Sequence, residues 1–504
     1  MVAGPMHAAT AVGFGPMRGA TAAGTPPESR RSQQAPRVSR PARAALPAAT
    51  AAVAAVAAVL CLLACAPGTP AGAGPAAAPV DVAAALDAAD ARGYARALAP
   101  RPFVFPADHG SHPDFRTEWW YFTGNLAARD GRRFGFQLTF FRVALAPPPL
   151  APATPARASA WATRQVYFAH FALTDVSGRR FRAYERWERQ ALGLAGAEAS
   201  PLRIWVGDWS AAAAGPAPAG TPAIRLTAAA PAAPAGAAGA AGGAGGAGGG
   251  MPAEDSDGGA SCAAVDLLLT TALAPVAQGD RGLSAKGAAP GNASYYYSLP
   301  RLSAGGTLRL GTETIPVQGL AWMDREWSTS SLPPGEVGWD WFALQLDDGW
   351  EVMLYRLRRR GRGAATPAAP AAPETPETAD PASLLTLIAP DGRTSLHPLA
   401  AARLDETAHW TNPATGTRYP AGWRLTLPGA GGAPAALDVT VRPLLADQEL
   451  PLTLRYWEGA VETRGTHAGR PVAGRGYVEL TGYAGAEGSR ASAPAAAPPA
   501  AASR

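Results

Sequence analysis

The sequence predicts an all-β protein made of two similar units, and three observations predict it. Period-2 or fully apolar runs rich in aromatic and β-branched residues recur between Gly, Asp and Pro punctuation. Outside the first 64 residues there is no helical stripe beyond a short helix expected near 82–97. One half of the chain also repeats the plan of the other.

The first element, residues 1–64, reads as an export signal. Its six arginines against Glu28 account for the whole net charge of +5, so the rest of the chain is neutral. A counterion-releasing binder needs a basic face, and nucleic acid is therefore excluded as a partner. Arg40 and Arg43 precede the apolar run "AALPAATAAVAAVAAVLCLLAC". "LLAC" (Leu62 to Cys65) resembles a bacterial lipobox, which makes Cys65 the expected lipidation site. The expected location is thus an exported lipoprotein facing the periplasm, with plain secretion or an uncleaved anchor as alternatives. Cys61 lies in the signal, and Cys262 alone cannot build a disulfide framework.

Residues 65–98 are rich in Ala, Pro and Gly and read as a tether. Two further low-complexity stretches, 211–262 and 361–382, lack apolar periodicity and are expected to be disordered insertions, as is the tail 486–504. Between them stand strands such as "FGFQLTFFRV", "VYFAHFALTDV", "EVMLYRLR" and "GWRLTLP". The repeat lays "WWYFTGNLAARDGRRFGFQLTFFR" (119–142) on "WDWFALQLDDGWEVMLYRLR" (339–358). Trp119 then meets Trp339, Tyr121 meets Trp341 and Asn125 meets Gln345. Each copy is a hairpin with an Asp-Gly turn. "HFALTDVSGRRF" likewise matches "LLTLIAPDGRTSL", "VDLLLTTALAPV" matches "LDVTVRPLLAD", and "GNASYYYSLPRL" resembles "GRGYVELTGYA". The expected units are 99–312 and 313–485, each a closed barrel or tightly curved sheet, because closure removes exposed edges.

Two stretches can carry chemistry. "DHGSHPDF" offers His109 and His112 beside Asp108, Asp114 and Glu118, a set that suits a divalent metal or a polar lead-in loop. Gly110 and Pro113 favour the loop, so neither a metal site nor a cofactor is expected. "GLAWMDREWSTSSL" places Asp324, Arg325 and Glu326 between Trp322 and Trp327. Three charges among tryptophans form either a buried ion-pair network or a pocket floor.

Together, "DHGSHPDFRTEWWYFTGNL", "FAHFALTD", "DREWSTS" and "WDWFALQLDDG" resemble the AttH and carotenoid 1,2-hydratase family of lipocalin-like proteins, from about 100 to 485. The resemblance implies two lipocalin-like β-barrel domains packed together and an apolar, lipid- or isoprenoid-like ligand. For hydratase-type members it implies acid-promoted addition of water to a terminal isoprenoid double bond. An AttH-type role beside an ABC exporter is a further implication. The chain departs from the hydratases in having Arg325 two residues before Trp327, and Tyr355-Arg356-Leu357 where a downstream acid is expected.

Three function classes follow: a ligand-binding module, an enzyme adding water to, hydrolysing or cyclising an apolar substrate, and a structural envelope protein without ligand. Protonating an alkene needs a carboxylic acid kept neutral by burial and aromatic faces for the resulting cation. The candidate acids are Glu118, Asp324 and Glu326. Glu118 is the expected proton donor, and Asp324 and Arg325 are expected to be structural. Trp119, Trp120, Tyr121, His170, Arg325, Trp327, Trp339, Trp341 and Tyr355 are the candidate ligand-binding residues. Alternation along "TEWWYFTG" turns Thr117, Trp119 and Tyr121 one way and Glu118, Trp120 and Phe122 the other. Both faces are aromatic, so the strand is expected to be buried on both sides, with Arg142, His170 or Arg325 as partner to Glu118.

Overall fold

The computed structural model describes residues 80–81, 91–148, 160–215, 221–230, 262–329, 335–359, 377–429 and 436–483. Cys65, the signal-like region and the tail 486–504 lie outside them. The regular structure of the described residues is strand, apart from 3-10 turns at Ala107–His109 and Leu399–Ala401. None of their helices is long and apolar enough to cross a membrane.

After a two-residue strand β1 (Val80–Asp81), thirteen strands form sheet one. They are β2 (Thr117–Ala128), β3 (Arg133–Ala144), β4 (Gln165–Asp175), β5 (Arg180–Arg189), β6 (Ala195–Ala199), β7 (Leu202–Val206), β8 (Trp209–Ala213), β9 (Ile224–Ala229), β10 (Ala263–Thr270), β11 (Val276–Ala277), β12 (Leu283–Ala285), β13 (Ala293–Leu310) and β14 (Glu313–Ser328). Sheet two holds β15 (Glu336–Leu346), β16 (Glu351–Arg359), β17 (Thr378–Ala379), β18 (Leu384–Ile388), β19 (Thr394–Pro398), β20 (Arg403–Thr411), β21 (Arg418–Leu427), β22 (Leu437–Pro443), β23 (Glu449–Pro451), β24 (Leu454–His467) and β25 (Arg470–Leu480), with β1 pairing parallel to β24.

Sheet one runs β5-β4-β3-β2-β14-β13-β10-β9-β8-β7-β6, and sheet two runs β19-β18-β16-β15-β25-β24-β22-β21-β20. The first nine strands of one order correspond one for one to the other, so the repeat seen in the sequence is a repeat of topology. Sheet one curls until β4 and β5 approach β7, which is the two-barrel architecture expected of lipocalin-like domains. Alternation builds three cores. Trp120, Phe122, Phe136 and Met323 fill the interior of sheet one, and Phe342, Leu344, Trp423 and Trp457 fill that of sheet two. Tyr121, Tyr296, Trp322, Trp341 and Tyr355 point the other way and form a layer between the sheets.

The sheets are clamped at that layer. Asn125 Nδ2 donates to the Gly476 carbonyl (2.8 Å), and Gln345 Nε2 donates back to the carbonyls of Ala321 (2.9 Å) and Pro300 (2.8 Å). These are the two residues that the repeat aligned. The approach is close enough that a Cβ on Gly135 would lie 2.4 Å from Cβ of Ala460.

Five expectations need correction. The expected unit boundary at 312/313 is only the turn of the hairpin β13–β14, and the first unit ends after Ser328 because β14 pairs with both β13 and β2. It follows that β13 corresponds to β24 and β14 to β25, so matching "GNASYYYSLPRL" with "GRGYVELTGYA" slipped by one strand. The stretch 211–262 contains most of β8 and all of β9, where Ala211, Ile224 and Leu226 are buried; Ala and Thr at alternating positions fit a tight sheet despite the low-complexity composition. Residues 231–261 lie outside the described set. In 361–382 the strand β17 pairs with β16. Finally, residues 91–98 are not free tether and form no helix: Ala97 is buried, and the Tyr94 hydroxyl donates to the Ala144 carbonyl (3.1 Å).

Candidate functional site

Glu118 sits on the interior face of β2 and is fully buried. Its carboxylate accepts from Arg142 Nε, Arg325 Nη2 and the His112 backbone N–H (2.9 and 3.1 Å). Burial alone would raise its pKa, but the Arg325 and Arg142 guanidiniums outweigh that and hold it well below the usual carboxylate range. The network extends through His112, whose Nε2 meets Asp108 (3.0 Å) and whose ring stacks on Trp327 at 3.9 Å. Arg325 also lies 4.0 Å over the Trp120 ring. Glu118 is therefore an ionised structural anchor, which corrects its expected role as proton donor. Trp120, Arg325 and Trp327 belong to the same anchor and do not line a cavity. His109 bonds Tyr297 (2.7 Å), so both histidines of the lead-in loop serve hydrogen bonds.

The opposite face of β2 opens on a cavity of about 120 Å³ between the sheets. Sheet one contributes Trp119, Tyr121, Phe141, Tyr296, Asp324 and Glu326 with Lys286, and sheet two contributes Trp339, Trp341, Tyr355, Leu357, Tyr456, Glu458 and Glu479. Four carboxyl groups thus face a lining of rings.

Asp324 is not paired with Arg325, because alternation on β14 puts the two on opposite faces. Its oxygens accept from Ser298 (2.5 Å), Tyr296 (2.5 Å) and Trp322 Nε1 (2.7 Å). Burial outweighs these donors and pushes its pKa up to about 7. Asp324, expected to be structural, thus faces the cavity without an arginine partner among the described residues, whereas Arg325 is structural as expected. Glu326 lies 3.0 Å from Lys286 Nζ. Glu479 accepts from Trp339 Nε1 (3.2 Å), and burial pushes it up to about 8. Glu458 is fully buried, accepts from the Tyr121 hydroxyl (2.7 Å) at Oε2 and leaves Oε1 without a partner. Burial and then the neighbouring Glu479 raise it well above the usual range, which favours its protonated form.

His170 lies behind this wall. Its Nδ1 meets the Tyr456 hydroxyl (2.7 Å), and burial lowers its pKa to about 3, which keeps it neutral. It positions Tyr456 and does not line the cavity. Trp119, Tyr121, Trp339, Trp341, Tyr355, Asp324 and Glu326 were all legible candidates and do line it. Glu458, Glu479, Tyr296, Tyr456 and Lys286 were missed. The signal for them was the repeat, read one strand further along: the register places Glu479 where the first unit has Asp324, Tyr456 where it has Tyr296, and Glu458 where it has Ser298.

A second cleft of about 810 Å³ between the sheets is polar, with Arg133, Arg301, Arg464 and Arg475 facing Asp347 and Glu462. It holds no unpartnered buried group among the described residues, so the aromatic cavity is the better candidate.

A family model described as AttH-like matches residues 96–235 and 250–483. The crystal structure of an AttH protein from Nitrosomonas europaea is 30% identical, and the match covers 77% of this chain and 99% of that one at a TM-score of 0.56. Kievitone hydratase from Nectria haematococca is 14% identical over 77% of this chain and 96% of its own, at a TM-score of 0.48. No curated protein matches the sequence.

Proposed function

The chain belongs to the AttH-like family, and on that premise we propose that it binds the end of an apolar, isoprenoid-like ligand between its sheets and protonates a double bond there. One observation carries the reading. Glu458 is a fully buried acid whose protonated form burial favours, with a free oxygen, set in a ring-lined cavity. A cavity of about 150 Å³ admits a benzene ring, so the space of about 120 Å³ suits one isoprene-sized group rather than a whole lipid.

In the proposed step the Glu458 O–H bond breaks as a C–H bond forms at the less substituted alkene carbon. The tertiary cation lies against the tryptophan and tyrosine faces. Water then forms the C–O bond and returns a proton to the carboxylate, so the net reaction is hydration and the acid is regenerated. A positioned acid of this kind contributes about 10²–10⁴-fold.

The test is incubation with geraniol, squalene and lycopene in H₂¹⁸O, with products read by mass spectrometry. A labelled alcohol is expected, and Glu458→Gln should lose at least 100-fold of that turnover. Quenching of tryptophan fluorescence by these alkenes without any product would make the protein a binding module instead. Binding of none would leave the structural envelope role.

Export and anchoring through Cys65 complete the proposal. They are supported by Arg40, Arg43 and the "LLAC" string. Cys65→Ser should abolish lipid labelling and release the protein from membranes; unchanged retention would sink this part. A role beside an ABC exporter rests on the AttH resemblance alone, and co-purification with a transporter is its test.

A further inference from the structure

The repeat divides the cavity into two halves that can be compared residue by residue. In the first, Asp324 and Glu326 stand beside Tyr296 and Tyr355, and a cation is already in place. Lys286, the only lysine in the sequence, holds its ammonium 3.0 Å from Glu326 and 4.6 and 5.4 Å from the ring centres of Tyr355 and Tyr296. Burial works against that charge, but Glu326 outweighs it and the lysine pKa is raised. This is a positive charge held between a carboxylate and π faces.

The second half has the same ingredients without a cation in contact; Lys286 reaches Glu479 only through its longer-range charge. Glu458 and Glu479 lie directly opposite each other on β24 and β25, beside Tyr456, Tyr121 and Trp339. Among the described residues neither carboxyl has an ion-pair partner, and each receives a single hydrogen bond, from Tyr121 and from Trp339. Oε1 of the fully buried Glu458 has no partner at all. Ca²⁺ or Mg²⁺ does not suit the place, since these ions demand six or more oxygen ligands or retained water, and the rest of the lining is aromatic. A bulky, weakly hydrated cation does suit it.

We propose that the Glu458–Glu479 half of the cavity is a subsite for an organic cation, a substituted ammonium group held between the two carboxyl groups, which then share one proton, and the rings of Tyr121, Trp339 and Tyr456. The subsite shares its cavity with the catalytic reading but rests on the unmatched carboxyls, not on the chemistry. Binding there must displace a proton, because the empty subsite keeps its acids neutral. The titratable groups facing it are Glu458, Glu479, Asp324, Glu326, Lys286, Tyr121, Tyr296, Tyr355 and Tyr456, with Tyr477 and His170 behind.

The experiment is calorimetric titration of the full chain with choline and with its uncharged isostere 3,3-dimethylbutan-1-ol, at pH 6.5 in two buffers of different ionisation enthalpy. Choline is expected to bind at least 30-fold tighter and to release about one proton. Glu458→Gln and Glu479→Gln should each weaken choline at least tenfold and leave the alcohol unchanged. Equal binding of choline and the alcohol, absence of proton release, or binding of Mg²⁺ or Ca²⁺ that Glu458→Gln abolishes would each overturn the subsite. The two readings of the cavity separate cleanly. Alkene turnover lost in Glu458→Gln, with choline no tighter than the alcohol, sinks the subsite alone; tight choline binding without turnover sinks the catalytic reading alone.

Discussion

Glu118 and Glu458 are both fully buried glutamates, each adjacent to a tryptophan in sequence, yet they hold opposite charge states. Glu118 faces the inside of sheet one, where Arg142, Arg325 and a backbone N–H converge on it. Glu458 faces the seam between the sheets, where its neighbours are a tyrosine hydroxyl and a second carboxyl. Burial is the same in both places and does not decide the protonation. The partners decide it: an acid among arginines becomes a structural anion, and an acid among rings and other acids is pushed toward keeping its proton.

The sharpest way to break this contrast is removal of Glu118. Glu118→Gln leaves two buried guanidiniums without their shared anion and should cost about 3–5 kcal/mol of stability, measured by denaturant unfolding. A loss below about 1 kcal/mol would mean that the arginines find other acceptors and that the two acids differ less than their geometry implies.

The pH dependence of unfolding tests both acids at once, with opposite signs. Between about pH 4 and the raised values of about 7 for Asp324 and about 8 for Glu479, the folded protein keeps protons that the unfolded chain has released. Stability should therefore fall as pH rises across that window, by about 1.4 kcal/mol per unit for each proton so retained. Glu118 and Asp108 are held below the usual range, so their contribution is present above about pH 4 and is lost as pH falls below it. The two slopes place maximal stability near pH 4–5. A maximum at pH 8 or above would contradict the neutral state of the seam acids.

The clamps give a smaller effect that sharpens the comparison by loosening only the seam. Gln345→Ala removes two hydrogen bonds to sheet one and should cost about 1–3 kcal/mol while leaving the Glu118 network intact. Its diagnostic reading is a reduced dependence of stability on pH between 5 and 8, because water enters beside Asp324 and Glu479. An unchanged slope would separate the clamps from the acids.

The smallest expected change is the most telling. Glu458→Gln replaces one group by another of nearly the same shape, so stability should move by no more than about 1 kcal/mol. A fall like that of Glu118→Gln would reclassify Glu458 as an anion.

Much of this was legible in the sequence. Alternation along "TEWWYFTG" sorts Glu118, Trp120 and Phe122 from Trp119 and Tyr121, and the structure puts these sets on the two sides of β2. The hairpin alignment found Asn125 and Gln345 before their clamping role was visible. The roles of the acids were not legible, because protonation depends on what arrives from far along the chain: Arg325 lies 207 residues from Glu118, and Glu458 lies 337 residues from Tyr121. Glu458 and Glu479 sit in plain strand text, "YWEGAV" and "YVELTG", and only a correctly registered repeat marks them. The register slipped because "LGTET" (310–314), a tight hairpin turn, reads like a junction between units.

Gly135 has one more consequence. With its α-carbon lying against Ala460 across the seam, the missing methyl acts as a gauge block that fixes the separation of the two sheets. A residue outside the cavity lining thereby bears on how closely the two sheets can approach. Gly135→Ala should shift the preferred probe toward thicker groups, read as a change in relative binding of linear and branched alcohols to the full chain. An unchanged preference would show that the bore is set by the lining side chains themselves. In this fold, selectivity for girth can be tuned from the back of the wall, leaving every acid and every ring at the site in place.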